Sequence, residues 1–174
     1  MKKIILTVLI SGAMSSSAMS ATVNAGQGTV TFFGSIIDAP CGIAPESTDQ
    51  SVNLGQIASA QLSAGGTSRP VPFKIELVDC DITTKKSAEA TFTGGPNTSL
   101  DNALAIQGTA SGAGVVITGI NGLPVKIDGS EGAGVVSLQN GDNTLLFSAY
   151  LQGDKTVIKP GEFTAIANFT MQYP

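Results

Sequence analysis

Apolar and polar side chains alternate along the C-terminal segment, residues 161–174. The apolar members of the pattern are Phe163, Ala165, Ala167, Phe169, Met171 and Tyr173. A period of two predicts a β-strand with one buried face, and Pro160-Gly161 predicts the turn that leads into it. The chain stops where this strand stops. Its apolar face therefore needs a partner strand from earlier in the chain or from another molecule.

Shorter runs rich in Val, Ile, Thr and Phe, separated by Gly, Asn or Asp, predict further strands. They cover residues 29–37, 51–57, 71–80, 87–93, 103–107, 115–118, 125–127, 135–138 and 143–152. The segment 128–131 has the composition of a turn, and no stretch predicts a helix of ten residues or more. This spacing of strands and turns is typical of an all-β sandwich of immunoglobulin-like type.

The amino-acid composition agrees with that fold and argues against some classes of function. A chain of 174 residues has the length of one domain, with room for an appendage. Charged side chains make up 13% and glycine occurs 21 times, which suits strands and turns better than helices. The net charge is -4, and apart from Lys2-Lys3 at the start the one basic pair is Lys85-Lys86, so nucleic acid and anionic membrane are poor candidates for partners.

The first residues have the pattern of a secretory signal peptide, assigned to residues 1–21. Met1-Lys2-Lys3 is the positive region, an apolar run opens at Ile4, and small residues follow. Cleavage is expected after Ala21, with Ala18 and Ala25 as alternatives. The apolar run is too short to span a bilayer, so the sequence predicts an exported chain.

Cys41 and Cys80 are the only two cysteines. In an exported chain an even number of cysteines predicts a disulfide, which would close a loop of about 40 residues. A thiolate metal site is the alternative, but the chain has neither a CxxC spacing nor a histidine.

The residues needed for common catalytic sites are missing. Without histidine, Ser-His-Asp and Cys-His sites are excluded. Asp79 and Asp81 are the one pair of neighbouring acids at a strand end, where solvated turn residues are the usual explanation. The sequence predicts no enzyme activity, no metal and no cofactor.

Three features coincide: an exported arm with glycines, a cysteine just after the first predicted strand, and the alternating C-terminal strand. The chain thereby resembles the pilin subunits of chaperone–usher fimbriae, over essentially all of the mature sequence. The stretches that carry the resemblance are 28–41, 52–56 and 73–80, together with Gly161, fourteenth from the end, and the penultimate Tyr173. Pro174 departs from the family pattern, since proline has no N–H for a ladder.

The resemblance implies an incomplete immunoglobulin-like β-sandwich that lacks its final strand and is completed in trans by donor-strand complementation. It implies a donor extension at residues 22–33 and a pilin domain at 34–174. The implied donor residues are Val23, Gly26, Gly28, Val30 and Phe32. The implied acceptor edge, which also serves chaperone recognition, is Gly161, Phe163, Ala165, Ala167, Phe169, Met171 and Tyr173.

The implied function is that of a structural subunit of the shaft in a fimbria that supports cell adhesion. The implied partners are other pilin subunits, a periplasmic chaperone and an outer-membrane usher, along a route through the periplasm to the cell surface. The alternative is a self-complete secreted β-sandwich that binds a carbohydrate or small ligand. Tryptophan is absent and aromatic residues are 5% of the chain, which disfavours a sugar site. A two-domain tip adhesin would need a receptor-binding domain for which this chain has no room.

Overall fold

The structure is a computed structural model in which residues 28–174 are described. The signal peptide, its cleavage sites, Val23 and Gly26 lie outside these residues. The chain divides into two units, residues 1–36 and 37–174, which are taken separately.

In the first unit, residues 28–36 form no β-strand, and all of them are exposed. The strand predicted over residues 29–37 is therefore wrong for the single chain. Its alternating sequence suits a strand, but a strand forms only where backbone N–H and C=O groups find a neighbouring strand to pair with.

The second unit contains ten strands and two four-residue helices. The helices are α1 (Pro45–Thr48) and α2 (Ser59–Leu62), and a 3-10 turn follows at Ser63–Gly65. The strands are β1 (Gly42–Ile43), β2 (Val71–Cys80), β3 (Ser87–Gly94), β4 (Ala103–Ala105), β5 (Gln107–Gly108), β6 (Ala113–Thr118), β7 (Asp128–Ser137), β8 (Gly141–Gly153), β9 (Phe163–Thr164) and β10 (Ala167–Gln172). Among the described residues no helix is long and apolar enough to cross a membrane.

All strand pairs are antiparallel, and they form two main sheets. One has the order β1-β2-β8-β6-β4, the other has the order β10-β3-β7, and β5 pairs with β9 in a small separate ladder. The all-β prediction is confirmed.

Three phenylalanines join the two main sheets at the centre of the core. Phe73 and Phe147 lie on neighbouring strands of the five-stranded sheet and stack with ring centroids 5.5 Å apart. Phe92, on β3 of the other sheet, meets Phe147 edge to face at 5.3 Å. Such pairs stabilise a core beyond the area they bury. Below them, Ile75, Leu77 and Leu145 are fully buried.

The strands with strict alternation lie where the sequence places them. The predicted strand 71–80 matches β2 residue for residue, and β3 and β8 differ from their predicted bounds by two residues or less at each end. These strands cross the core, so one face of each is buried and the period of two is plain in the sequence.

Three local predictions are wrong. Residues 51–57 form no strand, since they are extended without a ladder. Residues 125–127 form none either, although the Val125 N–H donates to the Ile117 carbonyl oxygen at 2.9 Å in a bend. Asp128 begins β7 and not a turn. Its carboxylate accepts the Ser130 N–H at 2.9 Å, a local turn-like contact inside a bulged strand.

The predicted disulfide is present and links Cys41, just before β1, to Cys80 at the end of β2. Beside it the Asp81 N–H donates to the Pro40 carbonyl oxygen at 2.8 Å. The disulfide thus fixes the start of the second unit to the end of β2 in the five-stranded sheet.

Candidate functional site

The edge of β10 is the feature on which a function can be built. β10 pairs with β3 from Ala167 opposite Gly94 to Gln172 opposite Glu89, without a register shift. Within residues 28–174 no strand pairs with its other side. A regular, open edge of this kind is a template for an added strand.

Side chains along this edge alternate strictly between two faces. The predicted acceptor residues Phe163, Ala165, Ala167, Phe169, Met171 and Tyr173 are all half-buried and pack against the core cluster. The residues between them, from Thr164 to Gln172, are exposed. The alternation continues across residues 165–166, where the pairing of this segment passes from β5 to β3. The structure therefore brings these six residues together on one face.

A groove of about 1170 Å³ runs beside this edge. One wall is residues 159–169, and another part of the lining is residues 47–57, which begin in α1 and continue outside both main sheets. Half-buried apolar side chains line it: Leu54, Ile57, Phe73, Ile106, Ile158 and Phe163. We call this feature the groove.

The groove carries little charge. Its charged lining residues are Asp49, Lys159 and Glu162, and no cluster of potential metal ligands occurs in the described part of the chain. An apolar channel beside unpaired backbone groups suits a ligand that offers apolar side chains and its own backbone N–H and C=O groups. That ligand is an extended peptide.

Gly161, at the start of this edge, has a local structural reason to be glycine. The carbonyl oxygen of Glu162 accepts the N–H groups of Thr109 at 3.0 Å and Ala110 at 3.1 Å. In return the Glu162 N–H donates to the Thr109 hydroxyl at 3.0 Å. These bonds hold the start of the edge so close to residues 109–110 that no side chain fits at position 161.

Tyr173, at the other end, has its hydroxyl enclosed without a hydrogen-bond partner among the described residues. Burial raises the pKa of this phenol above its ordinary value, because the charged form is the harder one to desolvate. The group is therefore an uncharged, largely apolar element of the edge at neutral pH.

The opposite edge of the same sheet is unsuited to strand addition. β7 departs from regular pairing with β3 at two places, between Glu89 and Thr91 and between Thr91 and Thr93. The N–H of Ile120 also donates to the Ala133 carbonyl oxygen at 2.9 Å and so covers part of that edge. β-bulges and segments that cover an edge strand protect it against unwanted pairing. β10 is therefore the edge of this sheet that is open to an added strand, and we call it the accepting edge.

Sequence reasoning missed the part of the groove lining in residues 47–57. Leu54 and Ile57 are three residues apart, so they fit no period of two, and the turn at Gly55 (φ 75°) breaks the strand expected there. The signal that was available is Asn53 before Gly55, since the Asn53 carboxamide accepts the Gly55 N–H at 2.8 Å.

Known proteins with related sequences point the same way. The family described as fimbrial protein matches residues 15–174. The chain is 45% identical to the fimbria A protein of Serratia marcescens, over 99% of this chain and 98% of that protein. It is 47% identical to the major MR/P fimbria protein of Proteus mirabilis, over 85% of each.

Solved structures agree. A subunit in a structure of a chaperone–usher pilus superimposes with a TM-score of 0.77 at 35% identity, over 88% of this chain and 99% of that one. The P pilus rod subunit PapA gives a TM-score of 0.70 at 33% identity, over 78% of this chain and all of that one. The chain therefore belongs to the fimbrial protein family, and it is a structural subunit of a pilus shaft with an incomplete immunoglobulin-like fold and not an enzyme.

Proposed function

We propose that the subunit polymerises head to tail by inserting its N-terminal arm into the groove of the next copy. The observation that carries this proposal is the open, regular edge of β10 beside an apolar groove. The arm is the matching ligand, because residues 22–37 contain no charged side chain. Its described part, residues 28–36, is exposed and has no strand partner of its own.

The arm has one apolar row at every second position. Gly28, Val30 and Phe32 share one face of an extended chain, and Gly34 and Ile36 continue the same row. Val30, Phe32 and Ile36 are each at least three-quarters exposed in the single chain. Gly26 is in phase with them, whereas Val23 is three residues before Gly26 and falls on the other face of a regular strand. We therefore place the inserted row at positions 26–36.

Insertion supplies enough free energy to hold subunits together. Burying Val30, Phe32 and Ile36 would contribute about 1.5–3 kcal/mol each. Backbone hydrogen bonds to β10 add to this, and ordering the arm opposes it. Because each copy gives an arm and receives another, the contact does not close on itself and produces a filament.

An open groove needs cover before assembly. Exposed apolar surface beside an unpaired edge promotes aggregation, so we assign the temporary cover to a strand of a periplasmic chaperone. Delivery then runs through an outer-membrane usher to a surface fimbria that supports cell adhesion. The acceptor residues from Gly161 to Tyr173 would serve the chaperone first and the neighbouring arm afterwards.

The test is to supply the missing strand in cis. In one form of the chain the arm, residues 22–36, is removed from the N-terminus and placed after Pro174, joined by a flexible Gly/Ser linker. We expect a monomer whose Tm is many degrees above that of the chain with neither arm. A matched control replaces Val30, Phe32 and Ile36 of the appended copy with serine. Equal Tm values for the appended form, its serine control and the armless chain would overturn the proposal.

A further inference from the structure

Beside its buried row, the accepting edge has an outward row with one apolar member. The outward residues are Thr164, Ile166, Asn168, Thr170 and Gln172. Ile166 is 67% exposed, although it lies between polar neighbours on a solvent-facing row. An isolated Ile at such a position has no partner within its own unit that buries it.

The outward row of the arm has the same composition. If Gly28, Val30 and Phe32 face the groove, then Gln27, Thr29, Thr31, Phe33 and Ser35 face outward. Phe33 is the most exposed apolar member of that row, at 96%, and Ile37, at 55%, is the one other apolar residue in phase with it. Insertion of the alternate residues into the groove does nothing to bury Phe33.

We propose that Phe33 of one subunit packs on Ile166 of the next, and that this outward pair fixes the register of the inserted arm, which runs antiparallel to β10. The inference rests on the proposed insertion of the arm. An aromatic side chain opposite a β-branched one is a stabilising cross-strand pair.

This register matches the other positions as well. Outside, it sets polar beside polar: Thr31 with Asn168, Thr29 with Thr170, and Gln27 with Gln172. Inside, it sets large beside small at three positions, Phe32 with Ala167, Gly28 with Met171 and Gly26 with Tyr173, and it pairs apolar side chains at two more, Val30 with Phe169 and Ile36 with Phe163. Residues 26–36 then lie along residues 163–173, so the arm covers the whole edge.

Other antiparallel registers lose the pair. A side chain keeps its face only if the arm shifts by an even number of residues. A shift of two places Phe33 opposite Asn168 or Thr164 and leaves Ile166 opposite a polar residue. The buried row alone distinguishes only weakly between registers. If the arm shifts by two residues, so that Phe33 lies opposite Thr164, its glycines again lie opposite large side chains.

A parallel arm can also place Phe33 opposite Ile166, but it is disfavoured by charge. In that arrangement the inward row continues from Ile36 to Asp38, which would face Met171. Burying an unpaired carboxylate costs far more free energy than the outward pair can supply. The antiparallel arm presents no charged residue from Gly26 to Ile37.

The experiment is a register scan by disulfide crosslinking in fibres assembled from the full chain. Three double variants are compared: Phe33→Cys with Ile166→Cys, with Thr164→Cys, or with Asn168→Cys. All four positions are exposed. Each single-cysteine variant is the control for scrambling with Cys41 and Cys80. We expect a ladder of covalent oligomers, on non-reducing gels after heat denaturation, at least tenfold stronger for the Ile166 pair than for the other two.

The direction of the arm is tested by comparing two further double variants. One combines Thr29→Cys with Thr170→Cys, and the other combines Thr29→Cys with Glu162→Cys. Crosslinking of the Thr170 pair supports the antiparallel arm, and crosslinking of the Glu162 pair overturns it. A ladder from the Thr164 or Asn168 variants would overturn the register while leaving arm insertion in place. No ladder from any pair would overturn both the register and the proposed insertion.

Contact between the Phe33 and Ile166 side chains is tested with Phe33→Thr, Ile166→Thr and the double variant. Phe33→Leu is the conservative change. Each single Thr variant should lower the temperature at which fibres dissociate, the double variant should lower it no further, and Leu should restore most of the loss. Additive losses would show that the two side chains do not touch.

Discussion

Gly161 lies so close to Thr109 that a Cβ at position 161 would come within 2.5 Å of the Thr109 hydroxyl oxygen. The same Cβ would meet the Ala110 nitrogen at 2.6 Å. The hydrogen bonds between residues 109–110 and Glu162 depend on this approach, and they fix where the accepting edge begins.

Replacing Gly161 with alanine should therefore destabilise the domain. The added methyl has to push two backbone segments apart, an overpacking effect of about 1–3 kcal/mol. Gly95→Ala is the matched control, since nothing lies within 4 Å of its Cβ position. Denaturant unfolding of the form with the appended arm measures both. Equal stabilities for the two variants would contradict this account of Gly161.

Tyr173→Phe should be tolerated at neutral pH and should change the response to alkali. Removing a buried hydroxyl without a partner costs nothing and can add about 1 kcal/mol. Because burial raises the pKa of Tyr173 in the folded state, the unfolded chain loses its proton first as pH rises through about 10. This part of the stability is complete below that pH and is lost above it.

A pH series of Tm values from 8 to 11 measures the difference. The original chain should lose stability more steeply above pH 10 than the Phe variant. Parallel curves would show that the Tyr173 hydroxyl is solvated in the folded state.

Truncating Phe147 to alanine should cost about 3–5 kcal/mol, because the side chain is buried and meets both Phe73 and Phe92. Leu146→Ala is the control on the same strand. Leu146 is 62% exposed, so its loss should change the free energy of unfolding by about 0.5 kcal/mol or less. If the two changes were alike, the phenylalanine cluster would not be the centre of the core.

Reducing the Cys41–Cys80 disulfide, or replacing both cysteines with serine, should lower the free energy of unfolding by about 4 kcal/mol. The two cysteines are 39 residues apart, and a disulfide across a loop of that length removes much of the entropy of the unfolded chain. Denaturant curves with and without reductant give the value. Coincident curves would contradict a structural role.

Ile36→Ser and Ile37→Ser are the sharpest test of alternation in the arm. The two residues are neighbours of the same type on opposite faces of an extended chain. Ile36→Ser should reduce polymer yield at least tenfold, since losing one buried apolar side chain weakens a joint by about 1.5–3 kcal/mol. Ile37→Ser should change it far less. Quantitative gels of heat-resistant oligomers decide between them, and a reversed order would place the other face in the groove.

Much of the fold was predictable because its central strands keep a strict period of two. β2 and the accepting edge each bury one face, so Phe73, Ile75 and Leu77, like Phe169 and Met171, stand out from their polar neighbours. The disulfide was predictable from two cysteines in an exported chain.

The rest depends on partners that no local pattern encodes. Residues 51–57 and 29–37 have strand-like sequences but no neighbouring strand in the single chain, so they form no ladder. The start of β7 contains Asp128 and Gly129, which favour turns, and it is held in the sheet by pairing with Thr93. The groove itself arises from the separation of two distant segments, and Ile158, which lines it, lies in no predicted strand.

The position of Cys41 has a mechanical consequence. In the proposed filament each joint would pull on an arm that enters the domain at Ile37, and β1 beyond it contributes only two residues to the sheet. Under tension, so short a strand would peel away from β2 one hydrogen bond at a time. The covalent link from Cys41 to Cys80 carries the force past β1 to the end of β2, which is paired along its length with β8. A stretched filament should therefore load the hydrogen bonds between β2 and β8 together, in shear along the strands, and should not break them one after another.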